Sequence, residues 1–323
     1  MGEKTIEKNA ITEGVIWKQL LIFFFPIMLG TLIQQLYTTV DTIIVGRFVG
    51  KAALASVGGP AAVLSTIVVT FFNGLANGAA VIIAQYYGAK DRKSLHVGLH
   101  TAYLFSIVIS LIVSLVGTVL TPWLLTIMNT PQDMMADSTI YLRIYFMGIL
   151  FTLVYNMGAA IMRAVGDSRR PLLYLLVCCV MNIILDIVMV VGMKMGIAGA
   201  ALATVISQCV SAILVTWSLT RAYDAMKLKF RELRMDARVL KKELKIGVPG
   251  ALQACAYGVT NVVIQASVNS FGTDTAAGWA AYGKLDLIFW TVSSAFGAAV
   301  TTFAGQNYGA GKMGIGNHVL ELL

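Results

Sequence analysis

The run FFFPIMLGTLIQQLYTTVDTIIVGRFVG, from Phe23 to Gly50, reads as one apolar helix over Phe23 to Phe48. It has a proline near its start (Pro26), polar residues at Gln34, Gln35 and Tyr37, and a single carboxylate, Asp41. A helix of this length and composition crosses a bilayer about 30 Å thick. A charge near mid-membrane costs about 2.5–3.5 kcal/mol on insertion scales, so its presence points to a functional use.

The rest of the chain repeats the pattern. Of 323 residues, 58% are hydrophobic and only 12% charged, against about 25% charged in an average soluble domain. The apolar residues come in runs of about 20 or more, and no alternating strand pattern of a membrane barrel is present. These features predict an all-α polytopic membrane protein. The net charge of +8 does not indicate nucleic acid, because the bases fall between apolar runs and report topology. The four cysteines (Cys178, Cys179, Cys209, Cys255) sit inside apolar runs without metal spacing, and read as small reduced packing residues. The first 15 or so residues are polar and mixed in charge, without the short apolar core of a cleaved signal peptide.

The predicted spans are 20–45, 53–86, 97–127, 140–162, 172–193, 198–219, 246–270 and 277–303, with a ninth starting near Met313. The second is interrupted by Gly58-Gly59-Pro60 and by Asn73-Gly74 and Asn77-Gly78, and is expected to bend. Bases alternate across this map. Lys90, Arg92, Lys93, Arg163, Arg169, Arg170 and the basic segment from Arg221 to Lys245 fall on one side; Arg47, Lys51 and Lys194 fall on the other. The positive-inside rule puts the N-terminus and the basic segment in the cytoplasm of a plasma-membrane protein. The basic segment reads as a linker helix lying on an anionic membrane surface.

An internal repeat appears at an offset of about 222 residues. Ile246-Gly-Val-Pro249 answers Phe23-Phe-Phe-Pro26, Gln306-Asn-Tyr-Gly-Ala310 answers Gln85-Tyr-Tyr-Gly-Ala89, and His318-Val319 answers His96-Val97. Six spans separate equivalent points, an even number, so the repeats are parallel. The implied whole is two six-helix lobes of roughly 445 residues. Residues 1–220 form the first lobe, 221–245 a cytoplasmic basic connector, and 246–323 a partial second lobe holding helices seven, eight and the start of nine. On this reading the chain is truncated. The counterpart of Asp41 in the second lobe falls in an apolar stretch at Val263-Ile264.

Ionisable residues inside the spans are few: Asp41, Arg143, Asp186, Lys284 and Asp286. Asn182 lies four residues before Asp186, and Tyr37 and Gln34 lie four and seven before Asp41, each on one helical face. With Thr204 on the sixth span, these groups form an oxygen-rich pocket. It can hold a proton shared between carboxylates, or Na⁺ at Asp41, Asn182, Asp186 and Thr204. Gln34, Lys284 and Asp286 are candidates to line a substrate cavity. Arg143 snorkels near a helix end, and His96, His100 and His318 show no partner pattern. In Arg163-Ala-Val-Gly-Asp-Ser-Arg-Arg-Pro171 a helix stops, turns, and restarts under a cap by Asp167 or Ser168. There is no phosphate-binding loop, zinc spacing or nucleophile–base set, so an enzyme is not expected.

With these residues in view, the chain resembles the multidrug and toxic compound extrusion (MATE) family. The similarity is carried by Pro26, the run from Asp41 to Ser56, Gln85–Ala89, Arg163–Pro171 and the echo Gln306–Ala310. The resemblance implies twelve helices in two lobes, a monomer when full length, and alternating access that exports amphiphilic, often cationic, drugs or metabolites in exchange for H⁺ or Na⁺. It implies no cofactor beyond that ion and no nucleic-acid partner. In the DinF-like branch the cation site lies in the first lobe, on positions matched here by Asp41, Tyr37, Asn182, Asp186 and Thr204. NorM-like members use a glutamate on helix seven, where this chain has only Gln253, Asn261 and Gln265 as polar candidates. Two other readings of the residues are a flippase for a lipid-linked precursor and a non-transporting membrane receptor or scaffold.

Overall fold

The computed structural model describes residues 11, 16–222, 224–270 and 273–312, and the described chain is helical without strands. The expected ninth span, His318 and the N-terminal turn before Ile16 lie outside the described residues. Nine α-helices follow in order: α1 Ile16–Ile44, α2 Lys51–Ser56, α3 Ala62–Gly88, α4 Arg92–Ile127, α5 Gln132–Ala164, α6 Arg169–Asp186, α7 Gly196–Thr220, α8 Ala237–Ser270 and α9 Thr273–Gly309. Among the described residues seven helical stretches are long and apolar enough to cross a membrane. Six belong to the first lobe, and the seventh is Asp286–Gly309 within α9. α8, whose side chains are described only in part, is not among them.

The turns follow local chemistry. Asp91 caps α4 by accepting from the Ser94 N–H at 3.1 Å. Of the two candidate caps before α6 it is Asp167 that acts, accepting from the Arg169 and Arg170 N–H groups at 3.2 and 3.1 Å. Gly166 there has φ of 94°, a conformation that a side chain would strain.

α5 is the axis of the first lobe. Leu142, Phe146, Ile149, Leu153, Met157 and Ile161 are buried along it, packed by α4 on one flank and α7 on the other. α1 packs on α6. The outward faces stay apolar: Leu111, Leu115, Val119 and Trp123 on α4 are exposed, as a lipid-facing helix requires.

Three helices change pitch on the face opposite the connector. α1 continues as a π-helix over Val45–Val49, α2 as one over Val57–Ala61 containing Pro60, and α6 as one over Ile187–Gly192. π-helical insertions often accompany functional sites. Here the first begins four residues after Asp41 and the last directly after Asp186.

The connector differs from the expected surface helix. Residues 221–236 form two short 3₁₀ turns, Asp224–Met226 and Phe230–Glu232, and the helical remainder is the first turns of α8. The segment is stitched to α4. The Lys229 N–H donates to His100 Nε2 at 3.1 Å, the Asp236 N–H donates to Thr101 Oγ1 at 3.1 Å, and Leu228 is buried. His96 meets Glu232 at 3.1 Å and stacks on His100. The histidines therefore have partners, which local sequence spacing did not reveal because the partners lie about 130 residues away.

The second-lobe helices meet the first lobe on the connector face. α8 lies along α3, with Gly74 against Ala251 and Gly78 against Gly247, so the backbones approach as small residues allow. α9 packs on α1 through Phe23 and Phe24 against Ala295, Ala299, Val300 and Phe303. At the helix ends the repeat becomes a symmetric contact. Gly88 of α3 sits on the backbone of Gln306, and Gly309 of α9 sits on the backbone of Gln85. The Gln306 amide donates to the Ala164 carbonyl at 2.7 Å.

Candidate functional site

Asp41 is carried by α1 and Asp186 ends α6, the two packed helices of the first lobe. Asp41 is 8% exposed, and Asn182 and Asp186 are fully buried. The two carboxyl groups lie within electrostatic reach of each other. Yet Oδ1 of Asp41, both oxygens of Asp186 and both polar atoms of Asn182 have no partner among the described residues. Two carboxylates are acceptors only, so they can bond each other only with a proton between them. Without a proton or a cation, two like charges oppose each other in a site that excludes water.

The donor set is therefore two carboxylates and an amide, all presenting oxygen. Orphaned buried oxygens of this kind fit a proton or a hard monovalent cation.

Two tyrosines lie beside the pair, and a third, Tyr145, packs on one of them. Tyr37 lies one turn before Asp41 and within electrostatic reach of it and of Tyr145. Tyr141 of α5 lies within reach of Asp41, Asp186, Tyr37 and Tyr145, and its ring stacks on Tyr145 at 6.2 Å. Sequence reasoning named Tyr37 and missed Tyr141 and Tyr145. Their spacing of four on one face of the helix next to the pair was the available signal.

Thr204 sits on α7 with its hydroxyl donating to the Ala200 carbonyl at 3.1 Å, a bond within its own helix. Its oxygen keeps lone pairs, but nothing in its hydrogen bonding ties it to the carboxyl pair.

The proposed cavity residues separate. Gln34 lines a cavity of about 220 Å³ between α1, α3, α5, α6 and α9. Asp286 accepts from the Tyr282 hydroxyl at 3.2 Å on its own helix and stands apart from that cavity. Lys284 lies on α9 with its side chain outside the described residues. Leu175 also lines the cavity, seven residues before Asn182, and Gln34 stands seven before Asp41. Both strips run from the cavity toward the carboxyl pair, about 10 Å along each helix.

A family model described as MatE matches residues 26–188. The probable multidrug resistance protein YpnP of Bacillus subtilis (strain 168) is 34% identical over 308 residues, covering 93% of this chain and 67% of that protein. The probable multidrug resistance protein YoeA of the same organism is 28% identical over 306 residues, covering 92% of this chain and 65% of that one. The chain thus spans about two thirds of the length of these relatives. Among solved structures, the outward-facing conformation of a multidrug resistance MATE family transporter of the MOP superfamily superposes with a TM-score of 0.88 at 21% identity. That match covers 96% of this chain and 69% of the other.

Proposed function

The chain belongs to the MATE family, and from that premise we propose that the protein exports amphiphilic, often cationic, small molecules across the plasma membrane by alternating access, driven by exchange for H⁺ or Na⁺. The observation that carries the proposal is the buried Asp41–Asp186 pair, with Asn182 one turn away and no ion-pair partner among the described residues. Multidrug-resistance names among the relatives support the substrate class. On this proposal the N-terminus and connector face the cytoplasm.

The coupling step follows from electrostatics. With a cation bound, α1 and α6 are held together at Asp41 and Asp186. When it leaves, the two charges repel and the helices part. α1 carries this to the other lobe, because its opposite end packs on α9 through Phe23 and Phe24. Between the two ends stands Pro26, whose missing N–H leaves the helix free to bend. Opening toward the connector side requires the Gly88–Gln306 and Gly309–Gln85 contacts to separate.

Efflux of a fluorescent cationic dye from proteoliposomes, with a pH gradient and a Na⁺ gradient imposed separately, tests the proposal. Export should follow one of the two gradients. No export under either gradient would leave the chain a membrane protein without the proposed activity.

A further inference from the structure

The cavity that holds Gln34 has an unusual balance of charge. Among the described residues its lining contains one cation, Arg163, and no acid. The amides of Gln34, Asn73, Asn77 and Asn156 share the lining. None of these five side chains has a hydrogen-bond or ion-pair partner among the described residues. The nearest acid in sequence is already taken. Asp167 pairs with Arg170 at 3.2 Å and accepts from the N–H groups that start α6. Arg163 itself closes α5, and its guanidinium lines the cavity between the lobes.

An unpaired arginine inside a membrane protein is costly and marks a ligand path by default. Its planar fork matches the geometry of a carboxylate or phosphate, and four amides add donors that need no charge of their own. We propose that this cavity seats a single oxyanion, a carboxylate or phosphate, at the end of an amphiphile, with Arg163 as its charge partner. The Asp41–Asp186 pair in the first lobe and this cavity between the lobes then form two poles of opposite sign, and the molecules best accommodated are zwitterionic. The transport proposal is needed for the amphiphile's passage, not for its binding.

A matched probe pair tests the site: a zwitterionic rhodamine with a free carboxylate, and its methyl ester. Both carry the same cationic fluorophore, and esterification removes the carboxylate, leaving the acid net neutral and the ester a net cation. Binding to the purified chain in phosphatidylcholine nanodiscs is read by fluorescence polarisation. The acid should bind about tenfold tighter than the ester, the size of one charge-assisted contact. Arg163→Gln should erase the difference, while Arg163→Lys keeps part of it. Inorganic phosphate should compete with the acid and spare the ester in the unaltered protein, a readout that needs no variant to fold. Repeating the titration in phosphatidylglycerol nanodiscs identifies the source. Selective loss of acid binding assigns the oxyanion to a lipid headgroup, and no change assigns it to the soluble amphiphile. Equal binding of acid and ester, or a preference that survives Arg163→Gln, would overturn the site. If the acid binds but neither dye is exported, the transport proposal falls and the site stands.

Discussion

At the scale of single residues, Asp41 and Asp186 matter because each is buried against the other. Replacing one by Asn leaves a neutral amide that accepts and donates without a proton or cation. Asp186→Asn should therefore leave drug binding and expression intact and remove its dependence on pH or Na⁺, measured by dye titration across both variables. Glu243 is a third buried carboxyl, placed on the first turns of α8. Burial pushes it up from 4.5 to about 8, and one of its oxygens lacks a partner among the described residues. The folded state thus holds this proton more tightly than the unfolded state. Below about pH 4.5 the group is neutral in both states and costs nothing; its cost grows up to about pH 8 and is complete above that. Glu243→Gln should leave Tm unchanged near pH 4 and raise it by several degrees near pH 9. An equal shift at both pH values would assign the effect to packing. Arg163 shows how much of a residue's setting the sequence leaves out. As one of several bases on the positive side of the map, it reported topology. Its isolation from Asp167 is visible only once Arg170 is seen to hold that acid.

At the scale of elements, the helices were legible from hydropathy and the connector was not. Apolar runs long enough to cross a bilayer leave the chain few alternatives to helix, so the helices were recoverable, although α5 begins eight residues and α8 nine residues before the predicted spans. The stretch from Arg221 to Asp236 has helix-compatible composition, but its backbone bonds go to His100 and Thr101 of α4. Such distant bonds leave no periodic trace. The π-helical ends of α1 and α6 were equally hidden, since pitch changes have no signature in residue type. The paired glycines at the ends of α3 and α9 were visible as a repeat, yet only the fold shows each repeat resting on the other. A Cβ at Gly88 would collide with the backbone of Gln306. Gly88→Ala should therefore push α3 and α9 apart on the connector face. Spin labels at Lys90 and Ala310 should report a longer distance in that variant. An unchanged distance would mean that the contact is not a gate.

At the scale of the whole molecule, two parallel repeats share a scaffold and differ in charge. The first lobe holds a carboxyl pair, while the equivalent stretch of α8 is apolar around Val263 and Ile264. On the proposed function, this asymmetry would put ion coupling in the first lobe. The measurement that bears most directly on this account is gradient-driven dye export by Asp41→Asn beside the unaltered protein in proteoliposomes. The account predicts that the variant reaches the membrane, binds dye, and exports none of it under either a pH or a Na⁺ gradient. Undiminished export by Asp41→Asn under the gradient that drives the unaltered protein would contradict it.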